Sequence, residues 1–131
     1  MKYMIIGGVA GGASTAARLR RLDEQAEIIL FEKGEYISYA NCGLPYYIGG
    51  VIEERERLFV QTPENFKARF NIEVRIKSEV KAIEPENKQV VIKDWATGKT
   101  YRESFDKLVL SPGAEPVLPP WEGIRTEGIF T

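Results

Sequence analysis

At 131 residues the chain is long enough for one domain with a core of its own and too short for two comfortable ones. Net charge is −1, from 18 basic and 19 acidic residues, so electrostatics gives no case for nucleic acid or an anionic membrane as the main partner. The 44% hydrophobic and 28% charged composition is that of an ordinary soluble domain, and the lack of histidine excludes Ser-His and Cys-His catalysis by this chain alone and leaves no Cys/His set for zinc.

Residues 3–6 form a short apolar run stopped by Gly7-Gly8-Val9-Ala10-Gly11-Gly12. The run reaches glycine too early for a signal peptide, whose apolar core needs about 7–15 residues. Nowhere does an apolar stretch approach the ~20 residues of a membrane span. Residues 13–22, rich in Ala, Leu and Arg, are predicted helical. Residues 27–31 are apolar and β-prone and close on Glu32. Strand, glycine turn, helix, strand and acid within about 30 residues is the dinucleotide-binding βαβ pattern. Glycines let the backbone approach a pyrophosphate, which sits on the free N–H groups and positive end of the helix. The acid, here Glu32, accepts hydrogen bonds from a ribose diol. Gly7 and Gly12 hold the outer positions of the motif, Val9 takes the middle one, and Ala16 is small where the helix should press on the sheet. A glycine turn of some other α/β protein is the competing reading.

Residues 33–39 are loop-like and lead into Cys42, the only cysteine. A single cysteine excludes an internal disulfide and suits a reducing cytoplasm. Residues 43–48 read as a short helix or turn ended by Gly49-Gly50; a cysteine just before a helix start, as Cys42 would then be, has its thiolate stabilised by the dipole. A lone cysteine is more often a small buried hydrophobe. Asn41 and Gly43, both turn formers, make a poor setting for a packed core residue.

Residues 51–61 are charged and expected at the surface. Thr62 is a predicted N-cap, with Pro63 in the first turn and Glu64 beside the dipole. Residues 72–76 alternate like a strand. Residues 80–83, 89–95 and 100–105 are β-prone runs split by Pro85-Glu86-Asn87 and Ala96-Thr97-Gly98, a meander in which Trp95 and Tyr101 read as strand packing rather than as a binding platform. Residues 107–110 add one more apolar strand before Ser111-Pro112-Gly113-Ala114. Beyond, Pro116, Pro119 and Pro120 give residues 115–123 a linker-like composition. The expected division is 1–114 as a nucleotide-binding unit and 115–131 as the connection toward a second domain.

These residues together resemble the flavoprotein disulfide reductases, and among them the coenzyme A-disulfide reductase and NADH-dependent persulfide reductase group. The resemblance runs through Ile5-Ile6-Gly7-Gly8-Val9-Ala10-Gly11-Gly12-Ala13, Arg20-Arg21-Leu22-Asp23, Ile29-Leu30-Phe31-Glu32, Ser38-Tyr39-Ala40-Asn41-Cys42-Gly43-Leu44-Pro45-Tyr46 and Phe105-Asp106-Lys107-Leu108-Val109-Leu110-Ser111-Pro112-Gly113-Ala114. The cysteine segment is its most specific part, because the paired CxxxxC of other members is absent. The resemblance implies an α/β fold, a three-layer FAD/NAD(P)-binding (Rossmann-like) domain of parallel sheet, helices and three-stranded β-meander, here incomplete.

It also implies site residues. Gly7, Gly8, Val9, Ala10, Gly11 and Gly12 would hold the FAD pyrophosphate and Glu32 the adenosine ribose. Val80 would meet the adenine through its backbone, and Lys33 and Gly113 belong with the same cofactor set. Cys42 would be the redox thiol beside the flavin. Ser14, Arg18, Arg21, Ser38 and Asn41 match positions lining a coenzyme A site, arginine being suited to phosphates. A solvated helix face is the competing reading of Arg18 and Arg21. One further basic position of that site is Phe70 here, with Arg69 beside it. The implied activity is NAD(P)H-dependent reduction of coenzyme A disulfide or a persulfide by a cytoplasmic homodimer, to which this chain would contribute a segment that does not turn over alone. The alternatives are an NADH oxidase or peroxidase cycling Cys42 through a sulfenic acid, and a non-catalytic flavin- or nucleotide-binding module.

Overall fold

The computed structural model describes residues 1–130. The elements are β1 (Lys2–Ile6), α1 (Ala10–Leu22), β2 (Glu27–Phe31), α2 (Leu44–Ile48), α3 (Pro63–Phe70), β3 (Glu73–Arg75), β4 (Ser78–Glu84), β5 (Gln89–Asp94), β6 (Thr100–Ser104) and β7 (Lys107–Leu110). Two 3₁₀ turns, Asn41–Gly43 and Arg55–Leu58, interrupt the long stretch between β2 and α3. β3, β2, β1 and β7 pair in that order as a parallel sheet, and β4, β5 and β6 form a separate antiparallel meander. The three-layer α/β arrangement expected from the sequence is the one observed.

The layers follow from the two-residue period of the central strands. Ile5, Ile28 and Leu30 point to one face and pack with Ala13 and Ala16 of α1 and Phe66 of α3. Met4, Ile29 and Phe31 point to the other and pack against Val90 and Ile92 of β5. Both faces are therefore buried, which explains why β2 reads as a continuous apolar run rather than an alternating one. Ala16 is fully buried, so the small residue does sit where the helix meets the sheet.

α1 begins at Ala10, three residues before the start expected from propensity, because the buried Gly12 is held by packing against Gly7 and against Ile5 of β1 rather than by its own preference. Thr62 caps α3 as expected, its hydroxyl accepting from the Asn65 N–H at 3.3 Å. Residues 51–61 are not wholly surface, since Leu58 is buried in the second 3₁₀ turn. Tyr101 packs on the meander side of the sheet, but Trp95 does not pack between strands. It lies just past β5, 58% exposed, and gives its indole N–H to Glu79 at 3.0 Å.

A polar network ties the meander to the sheet. Glu103 of β6 accepts from Lys2 of β1 at 2.7 Å and from Arg75 of β3 at 2.8 Å, while Arg75 also meets Glu73 at 2.7 Å and Lys2 meets Glu27 at 3.0 Å. Burial alone would push the Glu103 carboxyl up, but Lys2 and Arg75 outweigh it and hold it below the usual carboxylate range. A lowered folded-state pKa means the stabilisation is complete above the unfolded value and is lost as pH falls through the folded one. Glu103→Ala should therefore cost about 2 kcal/mol at neutral pH, and not more, because Lys2 and Arg75 each keep a second carboxylate. Urea unfolding should show the gap between variant and wild type closing below pH ~4. A gap that is constant from neutral pH to pH ~3 would show that Glu103 acts through packing alone.

Candidate functional site

The carboxyl ends of β1, β2 and β7 open onto one cleft of about 750 Å³. It is lined by the glycine turn from Gly7 to Gly11, by Glu32 and Lys33 after β2, by Tyr39 and Asn41, and by residues 111–115 after β7. A smaller cavity of about 200 Å³ adjoins it through Gly7, Glu32, Lys33 and Pro112, and runs to Ser78, Glu79 and Val80 of β4. Ligands of open parallel sheets bind at this edge, where neighbouring connections diverge. No helix among the described residues is long and apolar enough to cross a membrane.

The glycine turn is built by sterics. Gly7 has φ +95, and a Cβ there would lie 1.9 Å from the Ser111 carbonyl oxygen. Its N–H donates to the Phe31 carbonyl at 2.8 Å. The turn is thus held between the ends of β2 and β7 and delivers the chain into α1. There Val9 occupies the N-cap without a side-chain hydrogen bond, and the first turn carries no acid. The first intrahelical bond is Ala13 N–H to the Val9 carbonyl at 3.3 Å. The amides of Ala10 and Gly11 precede it, border the cleft and are left for an external acceptor. An uncapped helix start with no competing carboxylate, facing a cleft, has the chemistry of an anion site. A pyrophosphate fits it.

Glu32 is 9% exposed. Its two carboxylate oxygens accept the Gly8 and Gly34 N–H groups, each at 2.8 Å. Each oxygen keeps a further acceptor direction, and the side chain borders both cavities, so the acid can receive a ribose hydroxyl while it fastens the turn. Lys33 reaches across the cleft mouth to Glu115 at 3.1 Å. That pair is exposed and raises the lysine pKa through the Glu115 hydrogen bond and charge.

Of the residues expected to hold a cofactor, Gly7, Gly8, Val9, Ala10, Gly11, Glu32, Lys33 and Gly113 border the large cleft and Val80 the small one. Gly12 borders neither and is buried, with the place of its missing Cβ 1.7 Å from the Gly7 carbonyl oxygen. Its lack of a side chain lets the helix begin against the turn. Ser111 and Tyr39 also line the cleft, beyond the residues expected from the sequence. Ser111 lies in the motif that follows β7, which is the signal that could have marked it.

Cys42 is free and exposed, in the 3₁₀ turn Asn41–Gly43, two residues before α2 begins at Leu44. It is not a buried hydrophobe. Its neighbour Asn41 lines the cleft and Cys42 does not. Ser14, Arg18 and Arg21 share one face of α1 at four- and three-residue spacing, all exposed and all outside the cleft. Arg20, between the two arginines, has a different task. Its guanidinium donates to the Phe70 carbonyl at 2.7 Å and the Asn71 carbonyl at 2.9 Å, pinning α1 to the end of α3. Ser38 is half-buried, four residues before Cys42.

A nucleotide-sized cleft at the strand ends of a parallel sheet, an open helix start and a fastened acid are the features of a dinucleotide-binding fold. Residues 1–131 match the family described as pyridine nucleotide-disulphide oxidoreductase, and the chain belongs to that family. It is 48% identical over 113 residues to the coenzyme A disulfide reductase of Staphylococcus epidermidis, a match covering 86% of this chain and 26% of that protein. Among solved structures it is similar to reduced CoADR-RHD of Bacillus anthracis, with TM-score 0.91, 59% identity and coverage of 94% of this chain and 22% of the other. It is likewise similar to a NAD-dependent persulfide reductase of A. fulgidus, with TM-score 0.92, 39% identity and coverage of 98% and 24%. The chain thus spans about a quarter of the length of the curated relatives it matches.

Proposed function

We propose that residues 1–114 form the N-terminal part of the FAD-binding domain of a flavin-dependent NAD(P)H oxidoreductase, and that residues 115–131 lead toward its NAD(P)H domain. Thr131 lies outside the described residues. The acceptor we assign is coenzyme A disulfide or a persulfide, handled through Cys42. The observation that carries this reading is the exposed thiol set one residue beyond a cleft whose floor is an open helix start and whose wall is a ribose-type acid. The likeness to a coenzyme A disulfide reductase and a persulfide reductase supports the substrate class.

The residues divide the work by chemistry. Amides of Ala10 and Gly11 take the pyrophosphate, Glu32 the adenosine ribose, and the β4 backbone at Val80 the adenine. Bound FAD would supply a two-electron path from NAD(P)H to sulfur. Cys42, as its thiolate, attacks one sulfur of the disulfide, forming a mixed disulfide and releasing the first thiol. Two electrons and a proton then release the second thiol and restore the thiolate. Ser14, Arg18, Arg21, Ser38 and Asn41 are the candidate coenzyme A contacts, with exposed guanidinium groups on α1 for its phosphates. The longer enzyme would be a cytoplasmic homodimer, and this chain alone would not sustain NAD(P)H turnover.

The visible absorption spectrum tests the core of the proposal. The purified chain mixed with FAD, then reduced with dithionite and reoxidised without air, should hold the flavin through desalting and show a long-wavelength band from the Cys42 thiolate. A protein that retains no flavin would remove the cleft as a flavin site in this chain.

A further inference from the structure

Ser38 sits in the left-handed region at φ +45, a backbone state that a residue with a Cβ keeps only where its surroundings hold it. Those surroundings are hydrogen bonds on both sides. The Ser38 N–H donates to the Gly8 carbonyl at 2.9 Å, and the Ser38 carbonyl accepts from Val60 at 2.8 Å and Gln61 at 3.3 Å. Two residues on, Ala40 donates to the Leu58 carbonyl at 2.7 Å, and the Ala40 carbonyl receives the Gly43 N–H at 2.9 Å, closing the turn that carries Cys42. On the other side Gly8 is itself part of the cleft floor, its N–H held by Glu32. Gly8 and the loop are also in hard contact, since a Cβ on Gly8 would meet Ile37 Cγ2 at 2.7 Å. Turn and loop are thus joined by a hydrogen bond and a packing contact.

We infer that Ser38 is a positioning residue whose backbone couples the glycine turn to the cysteine turn, so that a nucleotide seated on the former resets the reactivity of Cys42 without touching it. The inference rests on the cleft being a pyrophosphate site. Ser38 acts here through its peptide groups and its φ, a task separate from any contact of its hydroxyl with substrate.

ADP is the probe, because it carries the adenosine and pyrophosphate but no flavin ring to shield the thiol. Calorimetry reports its binding, and the rate of Cys42 alkylation by iodoacetamide is followed with and without it. In the wild type ADP should change that rate about fivefold or more. Ser38→Ala and Ser38→Gly should keep the change, since Ala tolerates the existing φ as Ser does and Gly adopts it freely. Ser38→Val, β-branched and disfavoured at positive φ, should still bind ADP but shrink the change below about twofold. Full coupling in Ser38→Val, or none in a wild type that binds ADP, overturns the inference. Loss of coupling in Ser38→Ala would assign the effect to the hydroxyl and overturn it equally. Failure of the wild type to bind ADP is seen separately by calorimetry and takes down the cleft reading, and the coupling with it. Should Ser38→Val not fold, amide exchange at Val60 and Gln61 in the wild type decides. Both lie outside the cleft lining, and their exchange should slow when ADP binds; unchanged exchange sinks the coupling.

Discussion

Gly12→Ala should destabilise the chain by about 3 kcal/mol or more and abolish nucleotide binding with it. The added methyl would stand 1.7 Å from the Gly7 carbonyl oxygen, 2.9 Å from its carbon and 3.1 Å from Ile5 Cγ2. None of these is the free end of a flexible side chain. Gly7 cannot retreat, because its own α-carbon is packed against the Ser111 carbonyl and its N–H is bonded to Phe31 at 2.8 Å. The helix start must therefore swing away, and the amides of Ala10 and Gly11 leave the cleft. Gly11→Ala is the control one residue earlier. Its methyl would meet only the Ser111 side chain, at 3.2 Å from Oγ and 3.5 Å from Cβ. Against that mild contact, alanine gains up to ~1 kcal/mol of helix propensity over glycine. Urea unfolding of the two variants should separate them clearly. Equal stabilities would mean the turn can relax, and Gly12 would not be the helix–turn contact.

The sequence carried the fold wherever a local pattern and a tertiary demand agreed. β2 is apolar because both its faces are buried, and its observed bounds, Glu27–Phe31, are those read from the run itself. The meander was legible from its turn residues, and the cleft from a glycine turn followed by an acid at the correct distance. What stayed hidden depends on contacts between segments distant in the chain. Nothing local distinguishes Arg20 from Arg18 and Arg21, yet only the position of α3 makes it a clamp on two carbonyls. Gly12 reads like its neighbours in a glycine motif, and only the returning Gly7 carbonyl makes it a packing residue. Trp95 carries a strand-former's side chain but falls one residue past the end of β5, where the turn carries it outward. Ser38 adopts its positive φ because Gly8, Val60 and Gln61 bond it from two sides, and no residue type announces that.

Cys42→Ser should abolish thiol–disulfide exchange by the chain while leaving its stability within about 0.5 kcal/mol and its affinity for FAD or ADP unchanged. The stability half follows from exposure: Cys42 is free, lies outside both hydrophobic clusters, and loses only one sulfur on substitution. The binding half follows from the cleft, which Asn41 lines and Cys42 does not. The chemical half follows from the nucleophile. A thiolate forms readily in water and attacks disulfide sulfur, whereas a serine hydroxyl needs a base to remove its proton. The chain contains no histidine to act as that base and no second cysteine to take over. Exchange with a chromogenic aromatic disulfide, one equivalent of thiolate released per chain, gives the readout, and calorimetry with ADP gives the control. Release from the variant at the wild-type rate would place the reactive group elsewhere and dismantle the assignment of Cys42. Loss of ADP affinity along with exchange would mean that the cysteine turn supports the cleft from below, and that nucleotide and thiol sites form one cooperative unit rather than two neighbours.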